Sequence, residues 1–88
     1  MIALDPQNAL HRINQALSLA YAGRHQEALD RLTAITTSDK ESELHTARAV
    51  VLSMMGQRVA AINEARAALA ARPDNPAPRV LLRQLGVE

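Results

Sequence analysis

Ala16-Leu17-Ser18-Leu19-Ala20-Tyr21-Ala22-Gly23-Arg24-His25-Gln26-Glu27-Ala28-Leu29 is the stretch that decides the fold. Moved 33 residues along the chain, it meets a second copy of its own pattern. Ala16 falls on Ala49, Leu19 on Leu52, Gly23 on Gly56, Ala28 on Ala61 and Leu29 on Ile62. Leu32 falls on Ala65. Each copy is a helical run, a glycine, and a second helical run. Glycine closes a helix because it takes the left-handed C-terminal position at little steric cost. Alanine before and after the bend lets two helix backbones approach closely where they cross. A repeat of 33 to 34 residues is the signature of stacked helix pairs.

Outward from this stretch, every segment reads with helical period. The first runs from about residue 6 to 22, opened by Asp5 and Pro6, with Leu10, Ile13, Leu17 and Tyr21 at three- and four-residue steps. The second, about 25 to 36, turns Ala28, Leu29, Leu32 and Ile35 inward and Glu27, Asp30 and Arg31 to water. The third opens at Ser38 with Glu41 three residues on, a capping-box pattern. Its inner face is Leu44, Ala47, Val51 and Met54, with Val50 and Leu52 beside it, and Gly56 stops it. The fourth, about 58 to 71, uses Val59, Ala61, Ile62, Ala65, Ala68 and Leu69. The run Arg72-Pro73-Asp74-Asn75-Pro76 breaks it, and the fifth segment, about 77 to 85, carries Val80, Leu81, Leu82 and Leu85. The expected fold class is all-α, with five helices in one domain. Composition agrees: 48% of the 88 residues are hydrophobic, yet Tyr21 is the only aromatic. Alanine is the strongest helix former, whereas strands favour β-branched and aromatic residues.

The residues Ala16, Leu19, Gly23, Ala28 and Leu32, with Ala49, Leu52, Gly56, Ala61, Ala65, Ala68 and Pro73 in the second copy, resemble the tetratricopeptide repeat family. The resemblance covers nearly the whole chain. It departs from the family in the large positions: Arg12 and His45 stand at the tryptophan-like site, Leu19 and Leu52 at the tyrosine site, and Leu32 and Ala65 at the phenylalanine-like site. The implied architecture is a right-handed α-α superhelix. Repeat one spans about residues 7–38 and repeat two about 40–73, with a capping helix over about 76–86. Residues 1–6 resemble the end of a preceding repeat. Ala16, Gly23, Ala28, Leu32, Ala49, Gly56, Ala61 and Ala65 are the implied repeat-packing positions. The first hairpin has no such capping helix, and its outer side is expected to be buried by a preceding repeat, a partner or a second copy.

In this family the first helix of each pair lines a concave groove that holds a partner's peptide or helix. The resemblance therefore implies a protein-binding groove of Leu10, Ile13, Leu17 and Tyr21, continued by Glu43, Thr46, Val50, Ser53 and Met54. Such a lining suits an amphipathic helix or an extended apolar segment. The competing reading makes Leu10, Ile13 and Leu17 core residues of a compact bundle. The expected function is a protein–protein interaction module: an adaptor, scaffold or chaperone. An alternative is head-to-tail self-association into a homo-oligomer, because residues 1–44 carry net −2 and residues 45–88 net +3. A remote alternative is nucleic-acid binding through Arg66, Arg72, Arg79 and Arg83, although stacking aromatics and base-reading motifs are missing.

Enzyme chemistry is not expected. With no cysteine there is no thiolate nucleophile or zinc–thiolate site. His11, His25 and His45 include no pair four residues apart on one helix. No Gly-x-Ser-x-Gly elbow and no glycine-rich phosphate loop is present. No metal and no cofactor is expected. The net charge of +1 is too small to point to nucleic acid. The first residues lack a basic leader followed by an apolar run, and no apolar stretch approaches ~20 residues, so neither a signal peptide nor a membrane span is expected. A cytoplasmic location follows by default; a periplasmic one, or membership of a longer chain, stays open. Arginine in place of lysine and heavy alanine use fit a GC-rich bacterial genome.

Overall fold

The periodic segments are helices. The computed structural model describes residues 9–37 and 40–87. Among these are five helices and no strand: α1 (Ala9–Tyr21), α2 (His25–Ala34), α3 (Glu41–Met54), α4 (Arg58–Ala71) and α5 (Pro76–Gln84). The expected helix start at Asp5–Pro6 and the repeat-like residues 1–6 lie outside the described residues, as does Ser38. The start of α3 differs from expectation. Glu41 is the first residue of α3, with Lys40 at its cap and no side-chain cap bond, so Glu41 does not hold the third position that a capping box needs. α5 begins at Pro76, as expected for the capping helix, with the Ala77 N–H donating to Asn75 Oδ1 at 3.2 Å. Proline suits the first helical position because its missing N–H has no partner there anyway.

The bends at Gly23 and Gly56 are the same structure. Gly23 has φ +92° and Gly56 φ +79°. After α1 the Gly23 N–H donates to the Ala20 carbonyl at 3.0 Å and the Arg24 N–H to the Leu19 carbonyl at 2.9 Å. After α3 the Gly56 N–H donates to Ser53 at 3.1 Å and Gln57 to Leu52 at 2.9 Å. This pair of bonds is the Schellman helix stop. The end of α5 repeats it at Gly86, φ +83°, through Gly86 to Arg83 and Val87 to Leu82.

Each helix packs on the next, and α1, α3 and α5 also pack side by side, whereas α2 and α4 do not meet. The Cα atoms span 45 × 30 × 16 Å. The short dimension is that of two helix layers at about 8–10 Å between axes. α3 sits at the centre and touches all four other helices. Ile13, Ala16, Ala20, Ala28, Leu32, Ile35, Leu44, Ala47 and Val51 form one buried cluster between α1, α2 and α3. Ala49, Ala65, Leu81 and Leu82 form a second between α3, α4 and α5. Eight of the sixteen buried hydrophobic residues are alanine, which is what permits such close helix contacts. Every alanine and leucine named as repeat-packing is buried: Ala16, Ala28, Leu32, Ala49, Ala61 and Ala65.

Two apolar residues differ from expectation. Val59 and Val80, counted among the apolar positions of the fourth and fifth segments, are 71% and 44% exposed. Val59 lies in the first turn of α4, and Val80 lies on α5 outside the buried Leu81 and Leu82 stripe. On the outer side of the first helix pair, where a cover is expected, the surface among the described residues is largely polar. It carries Arg12, Gln15 and Arg31, all exposed.

Candidate functional site

The side-by-side packing of α1, α3 and the start of α5 leaves a hollow of about 210 Å³. Leu10, Ile13, Asn14 and Leu17 line it from α1, and Glu43, Thr46, Ala47 and Val50 from α3. These are four pairs at the 33-residue spacing: 10 with 43, 13 with 46, 14 with 47 and 17 with 50. Asn75 and Ala77 close the α5 end. Ile13 and Ala47 are buried and form the floor, whereas Leu10 is 40% exposed at the lip.

The polar edge is held in place by its own bonds. The buried Ser42 hydroxyl, 4% exposed, donates to the Ala68 carbonyl at 2.9 Å and accepts from Asn75 Nδ2 at 2.8 Å. One side chain thereby ties the start of α3 to the end of α4 and the cap of α5. The Thr46 hydroxyl donates to the Ser42 carbonyl at 2.7 Å. Glu43 receives Arg72 Nη1 at 2.8 Å across a 29-residue separation. The acid on the edge is thus neutralised within the chain, and the hollow presents an apolar floor with amide and hydroxyl groups around it.

Six of the nine expected groove residues come together here: Leu10, Ile13, Leu17, Glu43, Thr46 and Val50. Tyr21, Ser53 and Met54 do not line the hollow. Tyr21 is 71% exposed in the last turn of α1, Ser53 is half-buried, and Met54 packs against the first core cluster. They sit at the far ends of α1 and α3, beyond the concavity. Asn14, Ala47, Asn75 and Ala77 were missed. The repeat held the signal for the first two, which are equivalent to each other. Asn75 was legible as an asparagine preceding a proline at a helix start.

The other ionic groups are dispersed. On the α3–α4 pair, His45 Nδ1 lies 2.7 Å from Glu64 Oε1 and Arg48 Nη1 lies 3.8 Å from the same oxygen. Arg24 and Arg31 share Glu27, at 2.8 and 3.4 Å. The four C-terminal arginines do not act as one block: Arg72 is engaged with Glu43, and Arg79 reaches the Pro73 carbonyl at 3.4 Å. Among the described residues no three His, Asp or Glu side chains gather as a metal site. No helix of the described residues is long and apolar enough to cross a membrane. No family model, curated protein or solved structure matches this chain.

Proposed function

We propose that this chain is a tetratricopeptide-like interaction module, and that the α1–α3–α5 hollow receives an amphipathic helix or extended apolar segment of another protein. The observation that carries the reading is the hollow's lining by residue pairs one repeat apart. A stack of helix pairs presents equivalent positions of its first helices on one surface. The contact pattern supports the same reading. First helices pack together while α2 and α4 do not, the pattern expected of a two-layer ribbon that curves toward the α1–α3–α5 side. The floor supplies burial for one or two apolar side chains of a partner, and Asn14, Thr46 and Asn75 supply polar contacts at its edge. Side-chain size and hydrophobicity, rather than charge, decide what binds, because Glu43 is already paired.

The test is a peptide selection against the full chain, followed by binding measurements on substituted proteins. Leu10→Asp and Val50→Asp are expected to weaken the selected apolar peptides by more than about tenfold, equivalent to about 1.4 kcal/mol. Val59→Asp, away from the hollow, is expected to leave them unchanged. Binders whose affinity survives both hollow substitutions, with helix content intact by circular dichroism, would refute the assignment.

A further inference from the structure

We infer that the outer side of the first helix pair is a second site, one that takes a compact oxyanion, a carboxylate above all. A depression of about 100 Å³ lies there, lined by Arg12 and Gln15 of α1, Arg31 and Ala34 of α2, and Ile35. Helical residues advance about 100° each, so Arg12 and Gln15 face away from the Leu10, Asn14 and Leu17 side that borders the hollow. The two sites are separate, and the inference does not rest on the binding function proposed above.

The internal repeat says what belongs in the depression. One repeat further on, Arg12 becomes His45, Gln15 becomes Arg48 and Arg31 becomes Glu64. In the second pair those three residues form a closed group, with one Glu64 oxygen 2.7 Å from His45 and 3.8 Å from Arg48. The second pair therefore fills the position between its two helices with its own carboxylate. The first pair keeps nitrogen donors on α1 but replaces the acid on α2 with Arg31. No acidic residue lines the depression. Among the described residues Arg12 makes no ion pair, and Arg31 makes only the 3.4 Å contact to Glu27. Glu27 already holds Arg24 at 2.8 Å, so a single carboxylate serves two of the three arginines. Guanidinium groups present planar forks of N–H donors that match carboxylate and phosphate oxygens. The Gln15 amide adds two further N–H donors. Buried Ile35 beneath them keeps water from one side, which strengthens the attraction. An external oxyanion would occupy the place that Glu64 fills in the second pair.

The experiment is an NMR titration of the full chain with acetate, inorganic phosphate and a short glutamate-rich peptide, each matched by chloride at equal ionic strength. Saturable shifts are expected at the Arg12 and Arg31 Nε–H groups and at the Gln15 side-chain amide, with none at Arg79 or Arg83. Acetate responding alongside the peptide marks the carboxylate itself as the ligand; a response to phosphate alone overturns the carboxylate assignment. Arg12→Gln should weaken binding about tenfold or more, the scale of losing one charge-assisted contact. Arg31→Glu rebuilds the arrangement of the second pair and should abolish the response while preserving helix content and melting temperature. Shifts no larger than those in chloride, equal shifts at Arg79 and Arg83, or undiminished binding in Arg31→Glu would each overturn the site.

Discussion

Gly23 and Gly56 each hold a backbone conformation that other residues adopt only under strain, and nothing else at either position resists a side chain. A β-carbon placed at either would meet no atom within 4 Å. The left-handed backbone is thus the whole obstacle, costing roughly 1–2 kcal/mol for an L-residue. Gly23→Ala and Gly56→Ala are expected to lower unfolding stability by about that much each. Chemical denaturation should show losses equal within roughly 0.5 kcal/mol, because both corners hold the same left-handed glycine and the same pair of backbone bonds. A much larger loss at one bend would mean that the two corners are not equivalent. The same scale separates residues that sequence alone treats alike. Val51 and Val59 are both valines on amphipathic helices, yet Val51 is fully buried and Val59 is 71% exposed.

Ser42 decides how the helices are joined. It is buried, and its hydroxyl bonds connect α3 to the last turn of α4 and to the Asn75 cap of α5. Ser42→Ala would leave the half-buried Asn75 amide without its partner and the Ala68 carbonyl with only the Arg72 N–H, a loss of about 1–3 kcal/mol. Asn75→Ala removes one of those partners together with the α5 cap. A double-mutant cycle between the two should give a coupling of about 0.5–3 kcal/mol, the range for directly bonded residues. A coupling near zero in thermal or urea unfolding would show that the bond contributes nothing to docking α5. α5 also leans on α4 through Arg58, whose guanidinium donates twice to the Leu85 carbonyl, at 2.9 and 2.6 Å. This bond satisfies a helix end that the α5 sequence leaves open.

Across the molecule, stability is distributed by adjacency. α2 contacts only α1 and α3, and α5 only α3 and α4, whereas α3 contacts every other helix. In such a chain of neighbours each unit is held only by the next, so the ends open at lower free energy than the middle. Native-state hydrogen exchange is expected to find the slowest amides in α3 around Ala47 to Val51, near the global unfolding free energy, with α2 and α5 exchanging through smaller openings. Slowest exchange in α5 would contradict this order. α3 contributes to both core clusters, through Leu44, Ala47 and Val51 to the first and Ala49 to the second, so loosening α3 acts on both sides of the fold at once.

The amino-acid sequence by itself determined the helices, their bends and the small residues at their crossings. Those features depend on local propensity, on the 3.6-residue period and on glycine's access to positive φ, all written in residues a few positions apart. Periodicity placed Leu10, Ile13 and Leu17 on one side of α1; Glu43, Thr46 and Val50 were expected beside them only through the resemblance to the repeat family. Tertiary structure decided the rest. It put Tyr21, Ser53 and Met54 beyond the concavity, brought Asn14, Ala47, Asn75 and Ala77 into it, and turned Val59 and Val80 to water. It also paired Arg72 with Glu43 and Glu64 with His45 across 29 and 19 residues. These outcomes depend on the distance and crossing angle between helices. No periodicity within one helix encodes those quantities, because they emerge only when the side chains of several helices are packed together.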